Sequence, residues 1–116
     1  EERRDLKGYA KIYAEEIQKF EQVTVIILFG SVLHNQDFND VDVLFITNKP
    51  KEVTTFCLHI SKIRTVPIVP LILQKEDFIK EIKKKKEVIL NILASGVLLK
   101  GESQFLQVLK RVRQSR

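Results

Sequence analysis

The amino-acid sequence predicts an α/β (α+β) fold, in which a small β-sheet packs against helices. Two apolar runs, 23–29 and 41–46, are too short for typical helices and rich in β-branched residues, as buried strands are. Segments with apolar residues at three- to four-residue spacing lie before and after these runs, which is the pattern of amphipathic helices, and a polar turn separates the runs themselves. Because strands and helices alternate in one short chain, we expect a sheet that helices cover mainly on one side.

The remaining elements follow from spacing and from loop-forming residues. Pro67 and Pro70 lack the N–H that a central strand needs, so the third strand should lie at a sheet edge or be irregular. Gly96 is predicted to end the helix before it. We predict, in chain order, a helix over 1–20, strands over 23–29 and 41–46, a helix over 51–64, a strand over 66–73, helices over 75–84 and 87–95, an extended piece over 97–99 and a last helix over 103–112.

Length and composition predict a single domain over residues 1–116. A chain of this size can bury roughly two thirds of its unfolded surface in one core. Its apolar runs are too short to cross a bilayer, and the first residues lack the apolar stretch of a secretory signal, so we expect no membrane association and a cytoplasmic location. Cys57 is the single cysteine, which excludes an internal disulfide and favours a buried, unreactive side chain.

Basic residues give the chain a formal net charge of +5 and cluster at 83–86 and 110–116. Such clusters are typical either of a solvated face or of a surface that attracts polyanions. The seven phenylalanines are scattered and tryptophan is absent, so the stacking surface of a nucleic-acid-binding protein is not visible. Nucleic acid is therefore a possible partner but not the favoured one.

A glycine-serine pair, Gly30-Ser31, directly follows the first predicted strand. A strand that turns there into a short helix would direct unpaired peptide N–H groups towards an anion. Gly30 would allow close approach of a phosphate, and Ser31 could either cap the helix or donate its hydroxyl to a phosphate oxygen. An ordinary turn is the competing interpretation.

Two carboxylates, Asp40 and Asp42, stand at the start of the second predicted strand. Residues i and i+2 of a strand project from the same face, roughly 7 Å apart along the backbone. The pair could share an Mg²⁺ ion, which commonly takes one or two carboxylates together with phosphate oxygens. A solvated strand end without a metal is the alternative. Together with Gly30-Ser31, the pair suggests a seat for a metal-bound triphosphate and for phosphoryl or nucleotidyl transfer.

The segments "LFGS" and "DVDVLFI" resemble the motif of the DNA polymerase beta-like nucleotidyltransferase superfamily, and in particular its minimal nucleotidyltransferases. The first helix and the segment "EDFIKEIKKKKEVILNILASGVLLKGESQF" add a weaker likeness over most of the chain. The resemblance implies a small mixed β-sheet flanked by helices. It also implies that Gly30 and Ser31 contact a nucleoside triphosphate and that Asp40 and Asp42 bind the divalent metal.

The chain departs from this family pattern at two places. Active members have a third carboxylate on a later strand, but no Asp or Glu occurs between Glu52 and Glu76, and Pro70 or a neighbour stands at the expected place. Glu76 or Asp77 is a candidate to replace it from the loop beyond, although acids that begin a helix have an ordinary role beside the dipole. Many relatives also have an arginine just after the serine, where this chain offers His34 as a poorer phosphate ligand.

Two functional hypotheses follow. In the first, the protein is an Mg²⁺-dependent enzyme that transfers a nucleoside monophosphate from a nucleoside triphosphate to a hydroxyl group. The family implies that a small helical HEPN protein can present this acceptor, in a toxin–antitoxin pair. In the second, the domain is catalytically degenerate and acts as a binding partner or antitoxin. The apolar residues of the last predicted helix could dock such a partner, pair two copies in a homodimer, or belong to the core. These residues are Phe105, Val108, Leu109 and Val112.

Overall fold

Helices and strands form an α+β architecture in the computed structural model, which describes residues 8–22, 25–34 and 37–114. The elements are α1 (Gly8–Ile17), β1 (Val25–Phe29), a 3₁₀ turn (Ser31–Leu33), β2 (Val41–Ile46), α2 (Pro50–Ile63), β3 (Ile68–Leu73), α3 (Lys75–Lys83), α4 (Glu87–Ser95), β4 (Val97–Lys100) and α5 (Glu102–Gln114). The predicted fold class is thus confirmed. Residues 1–7, 23 and 24, which we assigned to the first helix and first strand, lie outside the described residues.

The four strands form one mixed sheet in the order β3-β2-β1-β4. β1 is antiparallel to both β2 and β4, whereas β2 and β3 are parallel. β3 lies at an edge, as Pro67 and Pro70 predicted, because a strand with a missing N–H is tolerated where only one side must pair. β1 and β2 are central and almost wholly buried, which explains why their sequences are continuously apolar.

Helices cover both faces of this sheet, so the expectation of a sheet covered mainly on one side is wrong. On one face, Ile26, Val43 and Phe45 pack with buried residues of α1 and α2. On the other, Ile27 and Leu44 pack with buried residues of α3, α4 and α5. Each fully buried aliphatic or aromatic side chain contributes about 1.5–3 kcal/mol, and a strand that is apolar on both faces can gain this only between two layers of helices.

The last helix uses its apolar stripe for the core. Val108 is buried on the sheet face that α3 and α4 also cover, and Phe105 and Val112 pack against it. Val108, Phe105 and Val112 thus belong to the core, whereas Leu109 of the same stripe lines an open groove beside β4. A sequence pattern cannot separate a core role from a docking role, because both need the same spacing.

Gly96 ends α4 as predicted, but for a packing reason. Its φ is −72°, so it does not adopt the left-handed conformation common at helix ends, and its N–H donates to the Ile92 carbonyl at 2.7 Å. A Cβ at this position would lie 2.6 Å from both Ile27 Cγ2 and the Ile92 oxygen. Glycine is required because the chain passes close to Ile27 and Leu28 of β1 as it enters β4.

One buried tyrosine fixes α1 against the connection between α2 and β3. The Tyr13 hydroxyl donates to the Val66 carbonyl at 2.8 Å and accepts from the Val66 N–H at 3.0 Å. Glu16, which follows Tyr13 on α1, forms an ion pair with Arg64 of the same connection. These contacts hold α1 rigidly beside the sheet end at which the candidate site lies.

The helices of the described residues are short. None combines the length and the apolar character needed to cross a membrane.

Candidate active site

The candidate site lies at one end of the sheet, where β1 ends and β2 begins. Antiparallel pairing places Phe29, the last residue of β1, opposite Asp42 of β2. Gly30 and Ser31 therefore meet Asp40 and Asp42 at this end although a loop separates them in sequence. We call it the Gly30 end of the sheet.

Gly30 contacts the carboxylate of Asp42 directly. A Cβ at Gly30 would overlap Asp42 Oδ2 and would lie 3.2 Å from its carboxyl carbon. The φ of Gly30 is +89°, a conformation that L side chains rarely adopt. Both the space and the backbone conformation therefore require glycine, and they bring a carboxylate against the turn that was predicted to seat a phosphate.

A single 3₁₀ turn follows Gly30. Its hydrogen bonds run from Leu33 N–H to the Gly30 carbonyl at 3.1 Å and from His34 N–H to the Ser31 carbonyl at 3.0 Å. Gly30 occupies the cap position and no side chain caps the turn, so of the two roles considered for Ser31 the capping role is wrong. The peptide N–H groups of Ser31 and Val32 precede those that bond within the turn, as in any helical first turn.

Asp40 and Asp42 act on each other electrostatically. Burial at the sheet end and then the nearby negative charge of Asp40 raise the pKa of the Asp42 carboxyl above its ordinary value. Within the described ranges, no lysine, arginine or histidine forms an ion pair with either carboxylate. This arrangement carries an uncompensated negative charge, which a cation would neutralise.

The donor set suits a hard divalent cation that is completed by substrate oxygens. Among the described residues, no group of three or more His, Cys, Asp or Glu side chains is placed to hold a metal. Two carboxylates alone do not fill the coordination shell of a metal ion, but Mg²⁺ commonly takes one or two carboxylates together with waters and substrate phosphates. The residues present therefore fit such an ion only together with a phosphate-bearing ligand.

Val69 is the β3 residue that stands beside Asp42. In the parallel pairing of β2 and β3, Asp42 is paired with Val69, so the two side chains leave the same face of the sheet from strands about 4.8 Å apart. Val69 is 46% exposed. Pro70, which we named with its neighbours, is paired with Val43 and belongs to the other face.

Glu76 and Asp77 lie at the opposite end of the sheet. β3 ends at Leu73, which pairs with the last residue of β2, and a six-residue strand spans roughly 20 Å. Two hydrogen bonds, at 2.7 and 3.0 Å, join Glu76 to Arg111 and lower the pKa of Glu76. The hypothesis that either acid replaces the missing carboxylate is therefore wrong.

The remaining candidates have ordinary surroundings. His34 is exposed where the 3₁₀ turn ends, close to the phosphate seat in sequence but with no side-chain hydrogen bond to another described residue. His59 is exposed on α2. Cys57 is buried, and desolvation raises the pKa of its thiol to about 12, as expected of an unreactive core residue.

Phe38 packs in the loop before the acidic pair, a contact that the sequence reasoning missed. It lies two residues before Asp40, and its ring contacts Tyr9 and Tyr13 edge-to-face at centroid distances of 5.8 and 6.5 Å. These contacts anchor the segment that leads into the acidic pair. An aromatic residue within an otherwise polar loop was the signal available in the sequence.

A separate groove of about 780 Å³ lies at the β4 edge, between the end of α4 and α5. Its lining includes Leu93, Leu98 and Leu106 but none of the predicted site residues. The lining mixes apolar side chains with Ser95, Lys100 and Glu102, and no acids converge in it. The chemistry of the acids and the glycine turn, not the size of a cavity, locates the candidate site.

Replacing Asp42 with asparagine should raise the melting temperature in metal-free buffer. Because the pKa of this carboxyl is raised in the folded state, the fold binds its proton more tightly than the unfolded chain does, and stability falls as pH rises above the ordinary value of 3.8. At neutral pH Asp42→Asn removes the charged carboxylate and with it this loss of stability. Thermal unfolding with a chelator present checks this, with exposed Asp37→Asn as control. A melting temperature lower than that of the control would contradict it.

Comparison with known proteins agrees with this geometry. The family model described as "Polymerase beta, Nucleotidyltransferase" matches residues 11–105, which include all four strands and the Gly30 end of the sheet. No curated protein and no solved structure gives a significant match. The family match implies a nucleotide substrate, and a domain of this kind generally uses divalent metal ions. The chain therefore belongs to the polymerase beta nucleotidyltransferase family.

Proposed function

We propose that residues 1–116 act as a single nucleotidyltransferase domain, which binds a nucleoside triphosphate with Mg²⁺ and transfers a nucleoside monophosphate to a hydroxyl group on a partner protein. The observation that carries the proposal is the contact of the Asp42 carboxylate with Gly30, beside the charge of Asp40. This contact supports a single binding site, in which the Gly30-Ser31 turn binds the phosphates and the two aspartates bind the cation of the same metal-bound triphosphate.

The side chains at the Gly30 end have distinct roles in this proposal. The N–H groups of the Gly30-Ser31 turn and the Ser31 hydroxyl bind the β- and γ-phosphates, and His34 adds an imidazole N–H. Asp40 and Asp42 would hold Mg²⁺. When bound, this ion neutralises phosphate charge and polarises the reacting phosphoryl group.

The reaction displaces pyrophosphate at the α-phosphorus. The acceptor oxygen forms a bond to that phosphorus, the bond from phosphorus to the pyrophosphate oxygen breaks, and the hydroxyl proton passes to water. Asp42 and Gly30 orient the triphosphate so that this attack can be in line. No third carboxylate stands at the register position beside Asp42 to accept the proton, so we expect slow transfer.

A second candidate function is that of a catalytically degenerate module, which acts as a binding partner or antitoxin. The apolar Val69 beside Asp42 favours it, because a base and a metal ligand are missing at one position. Both functions suit a cytoplasmic protein with a small helical HEPN partner. The exposed lysines at 83–86 make nucleic-acid binding a third, weaker candidate. If RNA binds there, its affinity should fall steeply with salt concentration, and a protein that shows no such RNA affinity excludes this candidate.

Transfer of labelled nucleotide tests the proposed function. The protein is incubated with base-labelled ATP, GTP, CTP or UTP and Mg²⁺, and a cell lysate supplies acceptors. We expect labelled product that falls by at least about 100-fold in Asp40→Asn and in Asp42→Asn, because each removes a metal ligand. Asp37→Asn, an exposed carboxylate in the same segment, should label as the wild type does.

The outcomes separate the two candidates. Labelling that depends on both acids supports the enzyme. Absence of labelling with Mg²⁺-dependent nucleotide binding intact would support the degenerate module. Absence of both labelling and binding would overturn the nucleotide site itself.

A further inference from the structure

The groove at the β4 edge is a gap in the layer of helices that covers one face of the sheet. α5 packs against α3 and β1, and the groove separates it from the end of α4. The lining reaches Ile27, a core residue of β1 that is 3% exposed, and includes the half-buried Leu93 and Leu98. The groove therefore opens onto the apolar core and has room for a further apolar element.

One side of α5 carries two leucines that border this groove and a charged residue at each end. Leu106 and Leu109 line the groove, and Leu106 is 56% exposed. Glu102 of the first turn lines it too, and Arg113 of the last turn is exposed four residues beyond Leu109. The spacing of four, three and four residues puts these side chains on one side of the helix, as at the contact positions of a coiled coil. We call these residues the α5 row.

The charges of the α5 row have no ion-pair partner within the part of the chain that the structure describes. Among residues 8–22, 25–34 and 37–114, no ion pair includes Glu102 or Arg113. Arg111 is two residues before Arg113 and therefore lies on another side of the helix, where it pairs with Glu76. The α5 row thus offers an acidic end and a basic end to another surface.

The α5 row is complementary to itself when two α5 helices lie antiparallel. Leu106 of each copy then meets Leu109 of the other, and Glu102 of each meets Arg113 of the other. Parallel helices would instead bring Glu102 against Glu102 and Arg113 against Arg113, which is unfavourable. Charge therefore selects the antiparallel pair, which a twofold axis perpendicular to the helices produces.

We propose that the groove at the β4 edge is an interface between two copies of this chain, which pair through antiparallel α5 helices. Each α5 lies in the groove of the other copy, where it covers Leu93 and Leu98. α5 has 13 residues and spans only about 20 Å, so the contact is small. Small interfaces are typical of weak, reversible complexes, and the dimer should form at micromolar to millimolar concentrations. This pairing is independent of nucleotide binding, because none of the candidate site residues lines the groove.

Sedimentation equilibrium of the full chain measures the pairing. The wild type should show a concentration-dependent equilibrium between monomer and dimer, in metal-free buffer as well as with MgATP. Leu106→Asp should weaken dimerisation by at least about 100-fold, because each copy would bury an unpaired carboxylate at the contact. Leu58→Asp replaces a similarly exposed leucine on α2 and should dimerise as the wild type does.

Charge reversal tests the pairing at the ends of the α5 row. Glu102→Arg and Arg113→Glu should each weaken dimerisation by at least about fivefold, because each creates two like-charge contacts across the twofold axis. The double variant that carries both changes should dimerise within about threefold of the wild type, because opposite charges meet again. Such recovery cannot come from helix stability, since both reversed charges oppose the helix dipole.

Cysteine cross-linking tests the direction of the helices. Cys57 is buried and its thiol is unreactive, so an introduced cysteine is the one that reacts. Positions 102 and 113 are about 16 Å apart along one helix, beyond the reach of a disulfide. Under mild oxidation, Glu102→Cys mixed with Arg113→Cys should give the mixed disulfide dimer, and neither variant alone should cross-link efficiently. Cross-links within each single variant that exceed the mixed product would contradict the antiparallel arrangement.

Three further results would overturn the pairing. A wild type that stays monomeric up to millimolar concentration would show that a second copy does not fill the groove, and a partner of another kind would then be expected there. Equal dimerisation by the wild type and Leu106→Asp would show that the copies pair through a different surface. A double charge variant that dimerises no better than the single variants would show that Glu102 and Arg113 do not meet.

Discussion

Replacing Val69 with aspartate is expected to increase nucleotide transfer by about 10²- to 10⁴-fold, the gain that a positioned general base commonly provides. The register pairs Val69 with Asp42, so the new carboxylate would leave the same face of the sheet from the adjacent strand. Because Val69 is 46% exposed, a charged side chain is tolerated there. The labelled-nucleotide assay measures the change.

Val69→Asn is the matched control for this substitution. It has the shape of aspartate without the charge, so it should transfer no faster than the wild type. Thermal unfolding of both variants confirms that each is folded. If Val69→Asp and Val69→Asn transfer at the same rate, the assignment of this position as the third corner of the site is wrong.

Replacing Gly30 with alanine is expected to damage both the fold and the site. The backbone conformation, with φ +89° and ψ −161°, is essentially confined to glycine and costs another residue about 1–3 kcal/mol, and the added Cβ must displace the Asp42 carboxylate. Loss of a correctly placed ligand should weaken MgATP binding by at least about 10- to 100-fold. Denaturant unfolding and calorimetry measure the two effects separately.

Gly8 provides the control for the backbone effect. Its φ is +60°, but a Cβ there would meet nothing within 4 Å. Gly8→Ala should therefore lose stability for the same conformational reason while keeping MgATP affinity. Wild-type affinity in a folded Gly30→Ala protein would show that the Asp42 carboxylate is not held at the binding site by this contact.

Several unfavourable features are concentrated at the Gly30 end of the sheet. A half-buried carboxylate faces a second negative charge, a backbone residue adopts a positive φ, and a valine is left half-exposed at an edge strand. Strain and uncompensated charge persist where the surrounding structure imposes them, and they cluster at sites of function. Apart from Lys100 at the end of β4, the other strand residues are apolar, which makes this end the exception.

The central strands of the sheet could be predicted from the sequence because their residues are almost completely buried. β2 has the predicted bounds, 41–46, since a continuous apolar run has no other stable place than the middle of a sheet. α4 was also predicted with its observed ends, because Gly96 and the preceding polar turn leave little choice. The edge position of β3 followed from the chemistry of proline.

Other features depend on contacts between distant segments and could not be predicted. The helical layers on both faces follow from where α3, α4 and α5 pack, and local periodicity does not specify this. The identification of Val69 needed the parallel register of β2 and β3, which is set by long-range pairing. For the same reason, sequence proximity suggested Glu76, whereas the strand direction places it at the far end of the sheet.

The most direct test of the central claim is a calorimetric titration of the wild type and Asp42→Asn with MgATP, with Asp37→Asn as control. The account predicts saturable binding that requires Mg²⁺, remains in Asp37→Asn and is weakened by at least about 10- to 100-fold in Asp42→Asn. MgATP affinity that is equal in the wild type and Asp42→Asn would contradict the account, because the acid that contacts Gly30 would then have no part in binding the nucleotide.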